Sequence, residues 1–232
     1  MTTAIVSAMH EELAAVLALM PDEHMQVAGQ REFWLGHLHG QPVVAVLSRI
    51  GKVAAATTAT ALIERFGVRR IVFTGVAGGL EASVQVGDIV VADSFLQHDL
   101  DASPIFPKYE VPLYGLDRFP ADPQLSAQLA KAAQLALPDV RLHRGLLLSG
   151  DRFVSTTAES RVLQAALPQA LAVEMEGAAM AQVCHDYGVP FAAVRTISDR
   201  ADDTAHVDFT RFIHEVASRH SAAIVEHFLR AG

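Results

Sequence analysis

Apolar positions along this chain fall into two kinds of run, and the two kinds alternate. The short runs are Ala4–Ala8, Phe33–His37, Pro42–Ser48, Arg70–Thr74, Asp88–Ala92, Leu146–Ser149, Ala172–Val173 and Phe191–Ile197. Compact apolar runs of this length, bounded by glycine or polar residues, predict buried β-strands. The first pair of neighbours, Phe33–His37 and Pro42–Ser48, is expected to join at Gly40. The longer runs are amphipathic and predict helices: His10–Met20, Lys52–Phe66, Pro123–Leu137, Thr157–Leu167, Gly177–Tyr187 and a long closing helix over Phe209–Leu229. Thr156 or Thr157 is the candidate N-cap of the fourth. Strand–helix alternation predicts an α/β fold, a three-layer α/β/α sandwich around a mixed, mostly parallel central sheet. In such sheets ligands gather beyond the carboxyl ends of the strands.

Residues 94–120 break the pattern. Phe95, Phe106, Tyr109, Tyr114 and Phe119 stand among four prolines with no clean period. A long apolar loop is usually functional or covered by something, so this segment is expected to be a lid or a subunit contact.

Composition narrows the class. Of 232 residues, 51% are hydrophobic and 19% charged, which excludes a disordered chain. No Pro/Gly/Ser-rich linker divides the chain, so residues 1–232 are expected to form one domain. The net charge is −8 and no basic stripe or tail is visible, which disfavours a nucleic-acid partner. No apolar run approaches the ~20 residues that span a bilayer, so no membrane association is expected. The first residues lack a basic stretch followed by a long apolar one, so no signal peptide is expected and a cytoplasmic location is. Cys184 is the single cysteine, which fits a reducing compartment.

Chemistry concentrates at four predicted strand ends. Ala8-Met9-His10-Glu11-Glu12 opens a helix with two acidic residues. Carboxylates in a first helical turn serve the helix dipole, and two adjacent ones allow one to face solvent and the other the strand end. Thr74-Gly75-Val76-Ala77-Gly78-Gly79 follows a buried run. It is neither a dinucleotide fingerprint nor a P-loop, and it reads equally well as a tight turn or as a close approach of ligand to backbone. Val173-Glu174-Met175-Glu176-Gly177-Ala178 places two carboxylates at a strand-to-helix junction, of which one is expected in a site. Val194-Arg195-Thr196-Ile197-Ser198-Asp199 ends an apolar strand with charge. A buried Arg195 needs a partner, and Asp199 is either a helix cap or a general acid.

These four segments, with Ile50-Gly51-Lys52-Val53-Ala54-Ala55-Ala56, Val86-Gly87-Asp88 and Ser149-Gly150-Asp151-Arg152-Phe153-Val154, resemble the 5′-methylthioadenosine/S-adenosylhomocysteine nucleosidases of the purine nucleoside phosphorylase superfamily. The resemblance runs nearly end to end. It implies hydrolysis of the N-glycosidic bond of methylthioadenosine or S-adenosylhomocysteine, giving adenine and the thioribose. Asp199 then matches the acid that protonates adenine N7, Glu12 the residue that holds the attacking water, and Glu176 the one that binds the ribose hydroxyls. Met175 packs on the sugar, Phe153 stacks on the base, and the Phe153 and Val154 backbone reads adenine. Met9, Ile50, Val76, Ala77, Gly78, Arg195, Ser198 and Phe209 match further substrate-binding positions. His98 and Phe106 lie in the segment that reaches the neighbouring subunit's pocket, so a homodimer with residues 94–115 near that pocket is implied. No cofactor and no metal is.

Two departures from the family pattern bear on the nucleophile. Val76 stands where the family often has serine, so water placement must rest on Glu12, Arg195 or another group. Arg49 stands where the family often has glycine and could bind an anion, as in a phosphate-dependent purine nucleoside phosphorylase, although an outward-facing strand end is the simpler expectation. A nucleoside-binding protein without turnover is the other alternative. His37 and His39 could share a strand face as metal ligands, but with no third ligand nearby an exposed hairpin is expected. Cys184, on an apolar helix, is expected to be buried and inert.

Overall fold

The computed structural model describes residues 1–205, 212 and 216–231. The strands are β1 Thr3–Ser7, β2 His24–Ala28, β3 Arg31–Leu38, β4 Gln41–Leu47, β5 Arg70–Gly79, β6 Ile89–Gln97, β7 Arg118–Pro120, β8 Leu142–Ser149, β9 Ala170–Glu174 and β10 Phe191–Asp199. The helices are α1 His10–Leu17, α2 Lys52–Glu64, α3 Pro123–Ala136, α4 Thr157–Ala166, α5 Gly177–Tyr187 and α6 Ser218–Arg230. The α/β fold with a mixed sheet therefore holds. Thr156 caps α4 by accepting from the Glu159 N–H, and Asp122 caps α3 ahead of Pro123.

Period-2 burial sorts β1 between the two faces of the sheet. Ala4 and Val6 point to a core with Ala55, Ala59 and Leu62 of α2 and Met180 and Cys184 of α5. Ile5 points the other way, to Leu13 and Val16 of α1, Leu129 of α3 and Ile224 and Phe228 of α6. A third cluster packs Leu167, just past α4, against Leu148, Val154 and Val173. Each fully buried side chain of this size contributes roughly 1.5–3 kcal/mol.

The strand order makes the site. β1 pairs in parallel with β4 and β5, and β5 in parallel with β10. β10 also pairs with β6, β6 with β8, β8 with β9, and β9 returns to β5. Strands β5, β10, β6, β8 and β9 thus close on themselves, while β1, β4, β3 and β2 extend as an open wing.

Two expectations are corrected and one strand is added. Residues 94–120 are not one loop: Phe95 lies in β6 and Phe119 in β7, both essentially buried, and only 98–117 runs between them. The glycine segment after Thr74 is not a turn but the second half of β5. β2 has no apolar alternation to betray it, since four of its five residues are exposed; it is an edge strand held by β3. The predicted start of the closing helix at Phe209 lies outside the described residues. Among those residues no helix is long and apolar enough to cross a membrane.

Candidate active site

A cavity of about 460 Å³ opens where β1, β5, β9 and β10 end. Its wall is mostly apolar, and the polar side chains in it are Glu174, Glu176, Ser198 and Asp199. Such a lining, apolar with a few convergent polar groups, suits a small organic ligand.

Register explains the glycines. Gly75 lies opposite Arg195 and Gly78 opposite Asp199. A Cβ on Gly78 would come within 2.8 Å of Asp199 Oδ1, so only glycine admits the Asp199 carboxyl there. Asp199 is almost completely buried; its Oδ1 accepts from the Ala201 N–H at 2.8 Å, and Ser198 Oγ lies 2.8 Å from Oδ2. These bonds fix the carboxyl at the end of β10, and residues 200–204, which follow it, form bends and a turn rather than a helix for it to cap.

The two glutamates of the third motif divide their work. Glu174 ends β9 and accepts from Arg195 Nη2 at 2.7 Å, from the Gly177 N–H at 2.9 Å and from Ser149 Oγ. Ser149 Oγ accepts in turn from the Ala178 N–H at 2.8 Å. Arg195 is itself 1% exposed, gives Nη1 to the Phe73 and Val194 carbonyls, and lies 4.1 Å from the Phe73 ring centroid. Glu174 is therefore the partner that a buried Arg195 requires. Glu176 sits between β9 and α5, lines the cavity, and accepts from the Gly51 N–H at 2.7 Å. Burial and the neighbouring Glu174 push its carboxyl up to about 7, against the Gly51 N–H and Arg195, which favour the anion.

Glu12 lies behind the Ala8–Met9 wall and is fully buried. Its Oε2 accepts from the Met9 N–H at 3.3 Å, while Oε1 has no hydrogen-bond partner among the described residues. Burial pushes it up to about 7, although Arg195 and the Met9 and Ala8 N–H groups pull the other way. A carboxyl with that proton affinity can accept a proton near neutral pH.

Of the residues expected from sequence, Met9, Ile50, Val76, Ala77, Gly78, Phe153, Met175, Glu176, Ser198 and Asp199 line the cavity. Glu12 and Arg195 stand behind its wall. Val154 borders a small adjoining void with Arg152 rather than the cavity itself. Phe106 does not line this cavity but lies half-buried in the 98–117 loop. Phe209 lies outside the described residues. Sequence reasoning expected one glutamate of the Glu174/Glu176 pair in the site, yet both line it; a buried arginine two strands away was the signal that the other was needed. Ala8 and Val173 were also missed.

Arg49 is exposed, and its Nη2 donates to the Gln30 carbonyl at 2.5 Å, so it points away from the cavity as the simpler expectation has it. His37 bonds Asp22 at 2.7 Å, and His39 lies 3.6 Å from Glu226. Cys184 is buried, and burial pushes its thiol up to about 12, which makes it inert.

The phosphorylase superfamily model matches residues 2–230. A 5′-methylthioadenosine/S-adenosylhomocysteine nucleosidase of Shewanella denitrificans is 39% identical over 227 residues, covering 97% of each chain. The solved nucleosidase of that name from Neisseria meningitidis, in complex with methylthio-immucillin-A, superposes with a TM-score of 0.95 at 33% identity, covering 100% of this chain and 99% of its own. A futalosine hydrolase of Helicobacter pylori superposes with a TM-score of 0.93 at 32% identity over 100% of this chain and 98% of its own. The chain belongs to the phosphorylase superfamily and, within it, to the family of 5′-methylthioadenosine/S-adenosylhomocysteine nucleosidases.

Proposed function

We propose that the protein hydrolyses the N-glycosidic bond of 5′-methylthioadenosine and S-adenosylhomocysteine, releasing adenine and the thioribose. The observation that carries this reading is the distribution of carboxyls around one cavity. Asp199 stands at the end of β10; Glu176 and Glu12 stand toward β9 and α1, with proton affinities near neutral.

Adenine leaves poorly as an anion, so Asp199 donates a proton to N7 as the C1′–N9 bond breaks. Positive charge builds on the ribose in an oxocarbenium-like transition state, and the carboxylates around it offset that charge. Water forms the new bond to C1′ and gives its proton to Glu12. Val76 supplies no hydroxyl to this water, so Glu12 and the field of Arg195 hold it. Glu176 accepts from the ribose hydroxyls, Met175 packs on the sugar, and Phe153 and the Val154 backbone take the base. One catalytic domain, residues 1–232, does this in the cytoplasm without metal or cofactor. The protein acts as a homodimer, with residues 94–115, Phe106 among them, near the neighbouring pocket. The exposed Ile105 and Leu113 of that segment favour burial against a second copy, and light scattering at micromolar concentration is expected to give the dimer mass.

The test is incubation with methylthioadenosine, with and without phosphate, and chromatography of the products. Adenine and free methylthioribose without phosphate are expected. A sugar 1-phosphate formed only with phosphate would make the enzyme a phosphorylase. No product from methylthioadenosine, S-adenosylhomocysteine, 5′-deoxyadenosine or a futalosine-type nucleoside would make it a binding protein.

A further inference from the structure

Three segments far apart in sequence meet beside the cavity in a closed ring of bonds. The Lys52 N–H donates to Asp151 Oδ1 at 2.7 Å. The Asp151 N–H donates to Asp99 Oδ2 at 2.8 Å. Lys52 Nζ donates to Asp99 Oδ1 at 2.6 Å and to Gln97 Oε1 at 3.1 Å. Two of the three links in the ring end on backbone N–H groups, so the ring fixes main chain as well as side chains. It is partly buried, with Lys52 16% and Asp99 32% exposed, and Gln97 ties it to α5 through Gln182 at 2.9 Å. An isolated surface ion pair would contribute little, but a closed and partly buried network holds geometry.

Neither Lys52, Asp99 nor Asp151 lines the cavity, yet the segments of Lys52 and Asp151 each lie within two residues of one that does. Gly51, next to Lys52, has φ +97° and gives its N–H to Glu176; Ile50 precedes it in the cavity wall. Phe153 follows Asp151 by two residues and also lines the cavity, and the Ile50 and Phe153 side chains are both substantially exposed. A bond through Gly51 N–H can orient the Glu176 carboxylate only if the start of α2 is itself held.

We propose that Lys52, Asp99 and Asp151 form a positioning clasp that sets Glu176, through the Gly51 N–H, against the sugar hydroxyls. The clasp also fixes the spacing of Ile50 and Phe153. The inference rests on the reading of Glu176 given above. It assigns a catalytic consequence to a cluster that touches no substrate, and misplacing a binding group by a fraction of an ångström is enough to cost rate.

The test is a mutant cycle on kcat/KM for methylthioadenosine. Asp99→Asn is expected to lower kcat/KM about tenfold in the wild-type background but less than twofold in a Glu176→Gln background, because the two act through one bond. Lys52→Met should repeat that pattern and serves if Asp99→Asn does not fold; Lys52→Arg, which keeps the charge, should restore most of the rate. Equal losses in both backgrounds would mean general loosening of the fold, and an unchanged rate in the wild-type background would mean no positioning role; either overturns the clasp. Absence of nucleoside cleavage by the wild-type protein would instead overturn the reading of the site, and the clasp with it.

Discussion

Two buried carboxylate clusters lie in the closed part of the sheet, and they differ in what their oxygens touch. At the start of β6, Asp88 is 6% exposed and its oxygens are fully engaged. Oδ1 accepts from Arg141 Nε at 3.3 Å, and Oδ2 accepts from the Gln85 N–H at 2.9 Å with His143 Nε2 at the same distance. That cluster stitches the turn before β6 to β8. At the cavity, Arg195 serves Glu174 directly, Glu176 relies on a backbone N–H, and Glu12 keeps one oxygen without a partner among the described residues. Asp88 and Glu174 are carboxylates whose bonds to arginine are made, and they hold structure. A carboxylate left short of donors in a buried place keeps its proton affinity high and has capacity to bind water or sugar.

That contrast can be broken most forcefully at Asp199. Asp199→Asn keeps the shape but has no acidic proton to give, and adenine release should fall on the order of 10⁴-fold with an unchanged circular-dichroism spectrum. Activity within tenfold of wild type would remove Asp199 as the acid. Glu12→Gln should lower kcat/KM about 10³-fold, because the water loses its proton acceptor. The same variant should gain stability at alkaline pH. Burial raises the Glu12 carboxyl from 4.5 to about 7, so the folded chain binds more protons than the unfolded one between those values, and stability falls as pH rises through that window. Urea titrations should therefore find Glu12→Gln about 3 kcal/mol more stable, relative to wild type, at pH 8 than at pH 4.5.

The wild-type pH profile gives a third, smaller effect. With Glu12 required as the anion, kcat/KM should drop about tenfold per pH unit below about 7, and a flat profile between pH 5 and 7 would deny it that role. Asp88→Ala should do the reverse of the cavity variants: a loss of about 2 kcal/mol in urea unfolding with kcat/KM within threefold of wild type. Smallest of all is Arg49→Ala, expected to leave both the rate and its indifference to phosphate unchanged within twofold; a phosphate-dependent rate abolished by the variant would revive the phosphorylase alternative.

Much of the fold was legible because burial has a period. α5 begins and ends where the pattern of Gly177–Tyr187 places it, and the cap at Thr156 follows from a hydroxyl that accepts from the first turn. β2 was illegible because an exposed edge strand carries no apolar alternation. The strand character of Gly75–Gly79 was illegible for a related reason: glycine has no side chain to alternate, and the segment is extended only because β10 and β9 pair with it.

By itself the sequence determined the layered α/β arrangement, the strand ends where chemistry gathers, and the residue types that gather there. These are local matters of period, capping and composition, which neighbouring residues settle among themselves. Tertiary structure decided which carboxylate does what. Glu174 and Glu176 are two residues apart and chemically identical, yet one is neutralised by Arg195 from another strand and the other is turned into the cavity against Gly51. The physical reason is that proton affinity and hydrogen-bond capacity are set by burial and by charges within a few ångströms, and those neighbours come from strands brought together only when the sheet closes on itself.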